Sequence, residues 1–223
     1  MIVAIDGPAA SGKSTVARAL ARQHGLAYLD TGAMYRAVAV EAQNRGMDLE
    51  DGAALTALAD EVCITFEHEA GSAMPTKVLV DGRDVTSEIR SPEADIAVSP
   101  VSAVAGVREA MVEQQRRIAA TCDHIVLEGR DIGTVVFPDA DVKVFLTAST
   151  HERARRRTID MAVRGVEMTC DEVQANLESR DAYDSNRQAS PLCCAPDAIQ
   201  IDTTGMTIDE VVDAIGALVE AKR

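Results

Sequence analysis

Two kinds of apolar pattern alternate along this 223-residue chain. The short unbroken apolar run at residues 2–5 (IVAI) is typical of a strand buried on both faces, and a strand is also predicted at 124–128 (HIVLE). Segments 13–24 and 207–222 instead repeat apolar residues every three or four positions, as amphipathic helices do. Further strands are predicted at 27–29, 141–146 and 198–202, and further helices at 33–45, 52–62, 103–120, 150–164 and 171–186. This alternation predicts an α/β fold with a central parallel sheet flanked by helices.

Residues 63–90 break this rhythm. The runs CITFE and KVLVD have the composition of strands, and Asp81-Gly82 is a hairpin signal that follows the second run. We therefore predict a small antiparallel insertion in this segment.

A phosphate-binding loop is predicted at residues 7–14, where GPAASGKS matches the pattern G-x-x-x-x-G-K-[ST]. The match follows a predicted buried strand and opens a predicted helix, which is the context in which this motif binds nucleotides. Lys13 would contact the β- and γ-phosphates, and the Ser14 hydroxyl would bind Mg²⁺. The expected fold is therefore a three-layer P-loop fold. The predicted ATP-binding residues are Gly7, Pro8, Ala9, Ala10, Ser11, Gly12, Lys13, Ser14 and Thr15.

Composition excludes several other classes of protein. The 36 acidic and 22 basic residues give a net charge of −14, whereas a nucleic-acid-binding face is usually basic. No apolar stretch reaches the length of a membrane span, and no cysteine lies in a C-x-x-C pair. The first residues, MIVAIDGP, lack the basic start of a secretory signal. We expect a cytoplasmic protein with reduced thiols that binds neither nucleic acid nor membrane. An N-K-x-D guanine-binding sequence is also missing, which favours a small kinase over a GTPase.

Arginines are concentrated in two predicted helices. Arg153, Arg156 and Arg157 share a helix face, and so do Arg180, Asp184 and Arg187. The first set could neutralise a polyphosphate from a mobile lid, or could form a solvated basic face. The second set could bind a sugar and a phosphate, or Arg180 and Asp184 could form a surface ion pair.

A third polar cluster directly follows the strand at 124–128. Ligands of open α/β sheets bind at the carboxyl ends of strands, where Glu128, Arg130 and Asp131 are predicted to lie. Glu128 occupies the position of an acid that would help to hold Mg²⁺. The alternative for Arg130 is a structural salt bridge with a nearby carboxylate.

Together these motifs resemble the bacterial cytidylate kinases, which transfer the γ-phosphate of ATP to CMP or dCMP. The resemblance spans the chain and rests on the motifs GPAASGKST at 7–15, LDTGAMYR at 29–36, VREAM at 107–111, EGRDIGTVVFPDA at 128–140, and RDAYDSNR with the following SPL at 180–192. The 63–90 insertion also resembles the extra antiparallel element of the bacterial branch.

The resemblance implies an acceptor site and a set of catalytic residues. It assigns Arg36, Arg130 and Arg180 to the acceptor phosphate, and Ser99, Arg108 and Asp131 to the cytosine edge. Thr31 stands where some members have Ser, and Asp184 and Arg187 would bind the pentose hydroxyls. The catalytic residues that it implies are Lys13, Arg130, Arg153, Arg156 and Arg157. Glu128 departs from the Asp of some relatives, which leaves its part in the metal shell open.

The implied mechanism is an in-line, Mg²⁺-assisted phosphoryl transfer within a single chain. We expect a core at about 1–30, 103–150 and 187–223, an acceptor-binding region at about 31–102, and a lid at about 151–165. The substrates would be ATP and CMP or dCMP, and the protein would act as a monomer. The alternatives are a P-loop kinase for UMP, AMP or a metabolite such as shikimate, and a nucleotide-binding switch without turnover.

Overall fold

The structure is a computed structural model, and it describes residues 1–69, 72, 74–163 and 165–223. The described strands are β1 (Ile2–Asp6), β2 (Ala27–Asp30), β3 (Ile64–His68), β4 (Pro75–Val80), β5 (Arg83–Asp84), β6 (Ile125–Gly129), β7 (Val142–Thr147) and β8 (Ile199–Asp202). The described α-helices are α1 (Lys13–His24), α2 (Thr31–Asn44), α3 (Gly52–Glu61), α4 (Pro92–Ala103), α5 (Ala105–Ala119), α6 (Thr150–Val163), α7 (Cys170–Asn186) and α8 (Ile208–Glu220). A 3₁₀ turn at Glu88–Arg90 and a π-helical turn at Ile132–Val136 complete the order.

Within the described residues the strands form two sheets. The larger is a parallel sheet of five strands in the order β2-β6-β1-β7-β8, and the smaller is antiparallel in the order β3-β4-β5. The parallel register pairs Ile5 with Val144 and Phe145 with Gln200. The predicted α/β class and the antiparallel insertion are both confirmed. Three residues of that insertion, at positions 70, 71 and 73, lie outside the described residues.

Two compact units make up the chain. The first consists of Met1–His24 and Val126–Arg223. Strand β1 buries its last four residues, which are apolar except for Asp6, whereas β7 buries alternate residues. Helices α1 and α8 pack together and carry the fully buried Leu20 and Ile215. This unit supplies the strand ends and the helix on which the phosphate loop lies.

The second unit is Gly25–Ile125. Helix α2 packs against α4, and α3 packs against α5. In the small sheet, Val80 pairs with Arg83 across Asp81 and Gly82, which both have positive φ (50° and 83°). Positive φ at both central residues defines the type I′ turn that an Asp-Gly pair favours. The predicted hairpin is therefore confirmed.

Helix α4 was not predicted, and its presence corrects the expected start of the helix at 103–120. Ser91 caps α4 by accepting a hydrogen bond from the backbone N–H of Ala94, and Pro92 occupies the first turn. Val104 then adopts an extended backbone, which ends α4 and lets α5 begin at Ala105. Proline lacks an N–H group and usually breaks a helix, so Pro100 in the interior of α4 makes this helix hard to predict from the sequence.

None of the helices in the described ranges combines the length and the apolar character that crossing a bilayer requires.

Candidate active site

The predicted phosphate loop connects the carboxyl end of β1 to the first residue of α1. Gly7 has a φ of 148°, and a Cβ at this position would overlap the backbone oxygen of Leu146. Gly12 has a φ of 96°. Ala10 also adopts a positive φ, of 59°, which non-glycine residues rarely do. The two glycines adopt such angles readily, whereas Ala10 is held in a conformation that its residue type disfavours.

Lys13 folds back over this loop. Its Nζ donates to the backbone oxygen of Pro8 at 2.6 Å and lies 3.4 Å from Ser11 Oγ. The pKa of Lys13 is lowered to about 7, chiefly by burial and also by the charge of Arg130, while the charge of Glu128 opposes the change. A buried cation beside further cations is stabilised by an anion, so this position suits a phosphate.

Ser14 and Glu128 are in direct contact. The Ser14 hydroxyl donates to Glu128 Oε2 at 2.7 Å, although the two residues are 114 positions apart. Glu128 lies on β6, where it is only 4% exposed. The described residues contain no group of three His, Cys, Asp or Glu side chains that could hold a metal ion by itself. A cation bound here would therefore complete its shell with oxygens from a ligand or water.

Asp6 fixes the backbone that follows β6. Its two carboxylate oxygens accept from the N–H groups of Ile132 and Gly133, at 2.8 and 2.7 Å. Burial raises the pKa of Asp6 to about 6, although the two hydrogen bonds act against this shift. The sequence analysis missed this residue. The available signal was its place at the end of β1, directly before the phosphate loop.

Arg130, Asp184 and Arg187 come together within the first unit. Arg130 Nε donates to Asp184 Oδ2 at 2.9 Å, and Arg187 Nη1 lies 3.7 Å from Asp184 Oδ1. Asp184 is only 6% exposed. Arg130, which follows strand β6, is thus in contact with the α7 residue Asp184. Asp184 belongs to the helix face that the spacing of Arg180, Asp184 and Arg187 predicts.

Arg180 and Asp131 act electrostatically on the residues around the phosphate loop. The charge of Arg180 contributes to the lowered pKa of Lys13, so the α7 arginine acts electrostatically on the phosphate loop. Asp131 is 3% exposed and helps to raise the pKa of Asp6.

The arginines of α6 have different surroundings from one another. Arg153 is buried and donates to the backbone oxygen of Ala9 at 3.2 Å and to Asp181. Arg156 donates to Thr203 Oγ1 at 3.0 Å and to the Thr203 backbone oxygen at 2.7 Å. Arg157 is partly exposed. Arg164, which also falls in the predicted lid, lies outside the described residues.

Thr203 is a further residue that sequence analysis missed. It is 2% exposed, and its hydroxyl lies 3.3 Å from the backbone oxygen of Ser11. Arg156 Nη1 would be 3.7 Å from a Cβ placed on Gly12. Thr203 therefore holds Arg156 beside the phosphate loop.

The other predicted acceptor residues lie on three helices of the second unit. Thr31 is buried in the first turn of α2, and Ser99 lies on α4. Arg36 on α2 pairs with Asp95 on α4, with Nε and Oδ1 3.3 Å apart. Arg108 on α5 is 3% exposed and donates to the backbone oxygen of Ser102 at 3.1 Å. Its guanidinium carbon lies 5.1 Å from the centre of the Tyr35 ring, a cation–π contact.

Comparison with known proteins identifies the family of this chain. The profile of the cytidylate kinase family matches residues 3–221. A cytidylate kinase of Desulfitobacterium hafniense is 49% identical over 220 residues, covering 99% of this chain and 93% of that protein. A cytidylate kinase of Limosilactobacillus fermentum is 50% identical over 219 residues, covering 98% and 95% of the two chains.

The fold also has a counterpart among solved structures. A crystal structure of a protein from Eubacterium ventriosum superimposes with a TM-score of 0.52 at 14% identity, covering 99% of each chain. At this identity the likeness concerns the fold alone. The family profile and the two bacterial relatives nevertheless extend over nearly the whole sequence, and the chain belongs to the cytidylate kinase family.

Proposed function

We propose that the protein transfers the γ-phosphate of ATP to CMP or dCMP, giving ADP and CDP or dCDP. The observation that carries this proposal is that one compact unit holds the phosphate loop in contact with Glu128, through Ser14, and holds Arg130 in contact with Asp184. The charges of Arg130 and Arg180 also help to lower the pKa of Lys13. The charges of the phosphate-loop lysine and of two arginines assigned to the acceptor thus act on one another, with Glu128 and Asp6 as nearby counter-charges. Two polyanions brought together there would relieve the repulsion among these cations. Membership of the cytidylate kinase family supports the same assignment.

On the donor side, residues 7–15 would bind the phosphates of ATP, with Lys13 on the β- and γ-phosphates. Ser14 and Glu128 present a hydroxyl and a carboxylate in contact, and such hard oxygens are the ligands that Mg²⁺ prefers. Ser14 would hold Mg²⁺ directly and Glu128 would support it. When bound, the ion would neutralise charge on the donor phosphates.

On the acceptor side, Arg130, Arg180 and Arg36 would bind the phosphate of CMP, and Asp184 and Arg187 the pentose hydroxyls. Asp131, Ser99 and Arg108 would recognise the cytosine, and Thr31 would contribute a hydroxyl. The Asp131 carboxylate would accept a hydrogen bond from the exocyclic amine of cytosine. Uracil has a carbonyl oxygen at this position, so two acceptors would face each other.

The chemistry needs no general base in this scheme. The acceptor monoester has a second pKa near 6, so it is largely dianionic at pH 7. One of its oxygens attacks the γ-phosphorus of ATP while the bond to the β,γ-bridging oxygen breaks and ADP leaves. The task of the protein is to align and neutralise the two anions. Arg156 and Arg157, on the proposed lid at about 151–165, would stabilise the transferring group and help to exclude water.

The remaining properties follow from the same scheme. All the residues that this scheme assigns belong to one chain, so we propose that it acts as a monomer. The net charge of −14 disfavours nucleic acid as a partner, and the substrates are metabolites of the cytoplasm.

The test is a set of initial rates of ADP formation with Mg·ATP and a panel of acceptors: CMP, dCMP, UMP, AMP, GMP and shikimate. The proposal expects fast turnover with CMP and dCMP and much slower turnover with UMP. Fast turnover with UMP, AMP or shikimate would overturn the acceptor assignment. Binding of ATP without any acceptor-dependent turnover would instead indicate a nucleotide-binding switch.

A further inference from the structure

Both backbone polar groups of one phosphate-loop residue, Ala9, are held by side chains from the two helices α6 and α7. The backbone N–H of Ala9 donates to Asp181 Oδ1 at 3.3 Å. Its backbone oxygen accepts from Arg153 Nη1 at 3.2 Å. Arg153 Nη1 also donates to Asp181 Oδ2. Ala9, Arg153 and Asp181 thus form a closed ring of hydrogen bonds, which we call the Ala9 clamp.

Every nitrogen of the Arg153 guanidinium is engaged within the protein. Besides Ala9 and Asp181, Nε donates to the backbone oxygen of Ala148 at 3.1 Å, and Nη2 lies 3.3 Å from Thr150 Oγ1. Arg153 is only 6% exposed. A guanidinium in these surroundings acts on the backbone of the phosphate loop.

The same part of the loop also packs against apolar side chains of α6 and α7. Ala9 forms a buried cluster with Ala154, Val173 and Leu177, and Ala10 packs at its edge. Ala10 has a φ of 59°, a conformation that persists only where the surroundings enforce it. The clamp and this apolar cluster supply that enforcement from outside the loop.

Asp181 lies on α7 between two residues of the proposed acceptor site. It directly follows Arg180 and precedes Asp184 by three positions. A rigid helix therefore connects the acceptor-binding side chains to the backbone of the donor loop.

We propose that Asp181 is a positioning residue for the donor nucleotide, which acts through Arg153 and Ala9 and couples acceptor binding on α7 to donor binding on the phosphate loop. Both parts rest on the proposed function, the first through nucleotide binding at the phosphate loop and the second through acceptor binding on α7. Loss of the clamp releases the strained Ala9-Ala10 segment, and the loop then has to be reordered when nucleotide binds.

The experiment measures the Kd of Mg·ADP, the Kd of CMP, and the Kd of Mg·ADP with CMP saturating, by titration calorimetry. Asp181→Asn keeps the size of the side chain but loses the charge that pairs with Arg153. We expect the Kd of Mg·ADP to rise about tenfold or more, as charge-assisted contacts allow. The Kd of CMP alone should stay within about twofold, as expected for a residue outside the acceptor contacts.

A control variant separates the clamp from a general effect of charge. Glu178→Gln removes one negative charge from the exposed side of the same helix, where Glu178 accepts from Gln174. It should leave all three constants unchanged. Arg153→Lys keeps a cation that cannot span the same set of acceptors, so it should reproduce the selective loss of Mg·ADP affinity if Asp181→Asn fails to fold.

The coupling is measured as the ratio of the Kd of Mg·ADP without CMP to the Kd of Mg·ADP with CMP saturating. In the unaltered protein, saturating CMP should tighten Mg·ADP binding, and in Asp181→Asn this ratio should approach one. Mg·ADP affinity within twofold of the unaltered protein, in a folded Asp181 or Arg153 variant, would overturn the proposal. Parallel losses of Mg·ADP and CMP affinity would also overturn it, because they would show a merely structural role. Failure of the unaltered protein to bind Mg·ADP would count against the proposed function itself.

Discussion

Arg130 and Asp184 form a partly buried ion pair, with Arg130 Nε 2.9 Å from Asp184 Oδ2, between residues 54 positions apart. The Arg130 side chain is 21% exposed and that of Asp184 is 8% exposed. Arg187 approaches the other oxygen of the same carboxylate. Asp184 is thus the counter-charge of two arginines assigned to the acceptor, and it fixes their positions.

Asp184→Asn should weaken acceptor binding. The substitution keeps the shape of the side chain but removes the negative charge that pairs with two guanidinium groups. Removing one partner of a buried ion pair is destabilising, because the other charge stays buried without a counter-charge. We expect the KM for CMP to rise about tenfold or more, because the loss of a buried charged contact typically weakens binding by at least that factor. The Kd of Mg·ADP should change little.

Steady-state rates with varied CMP, together with calorimetry of Mg·ADP, would check this expectation. Asp171→Asn, on the exposed first turn of the same helix, is the matched control and should leave the KM for CMP unchanged. A KM for CMP that is equal in Asp184→Asn and Asp171→Asn would remove Asp184 from the acceptor site.

Asp131→Asn should relax the choice between cytosine and uracil. An amide can donate a hydrogen bond to the carbonyl oxygen of uracil, which a carboxylate cannot do. We expect kcat/KM for CMP to fall by at least about 100-fold, and the ratio of UMP to CMP rates to rise. The exposed Asp139, in the same unit, provides the control Asp139→Asn. An unchanged ratio of UMP to CMP rates would assign the reading of the base to other residues.

The phosphate loop, the flanking strand and helix, and the small hairpin could all be predicted because each depends on local sequence. G-x-x-x-x-G-K-[ST] specifies a backbone shape within eight residues, and Asp81-Gly82 specifies a turn within two. The structure bears out both elements at the predicted positions.

Asp6 and Asp181 could not be predicted in the same way. Their partners are Ile132 and Gly133 for Asp6, and Ala9 and Arg153 for Asp181. The contacts of Asp6, and that of Asp181 with Ala9, bridge more than 120 positions and depend on how the elements pack. In the sequence, an aspartate beside an arginine on a helix looks like a solvated residue. Periodicity can place a residue on a face, but it does not show which backbone group that face meets.

Glu128→Gln should increase the Mg²⁺ requirement of the reaction. The carboxylate that accepts from Ser14 supports the proposed metal site, and an amide is a weaker ligand for a hard cation. We expect the concentration of Mg²⁺ at half-maximal rate to rise about tenfold, with partial recovery of the rate at high Mg²⁺. Rates measured across a Mg²⁺ series at fixed ATP would check this. Glu178→Gln serves as the control, and equal Mg²⁺ curves for the two variants would exclude Glu128 from the metal site.

Asp6 should give folding stability a characteristic dependence on pH. Burial raises the pKa of Asp6 from 3.8 to about 6 in the folded protein. Between these two values the folded state binds more protons than the unfolded state, so the contribution of Asp6 to stability decreases as the pH rises. Above about pH 6 both states are ionised, and the destabilisation from burying the carboxylate becomes constant.

Asp6→Asn removes this titration while it keeps the size of the side chain. We expect the free energy of unfolding of the unaltered protein, relative to that of Asp6→Asn, to decrease by about 1 kcal/mol between pH 5 and pH 7. Urea unfolding of both proteins at several pH values measures the difference, in which the other titrating groups cancel. A difference that stays constant, or that grows in favour of the unaltered protein, would show that the Asp6 carboxylate is not destabilised by its burial. The loop that carries Asp131 would then be held by a fully ionised anchor throughout this range of pH.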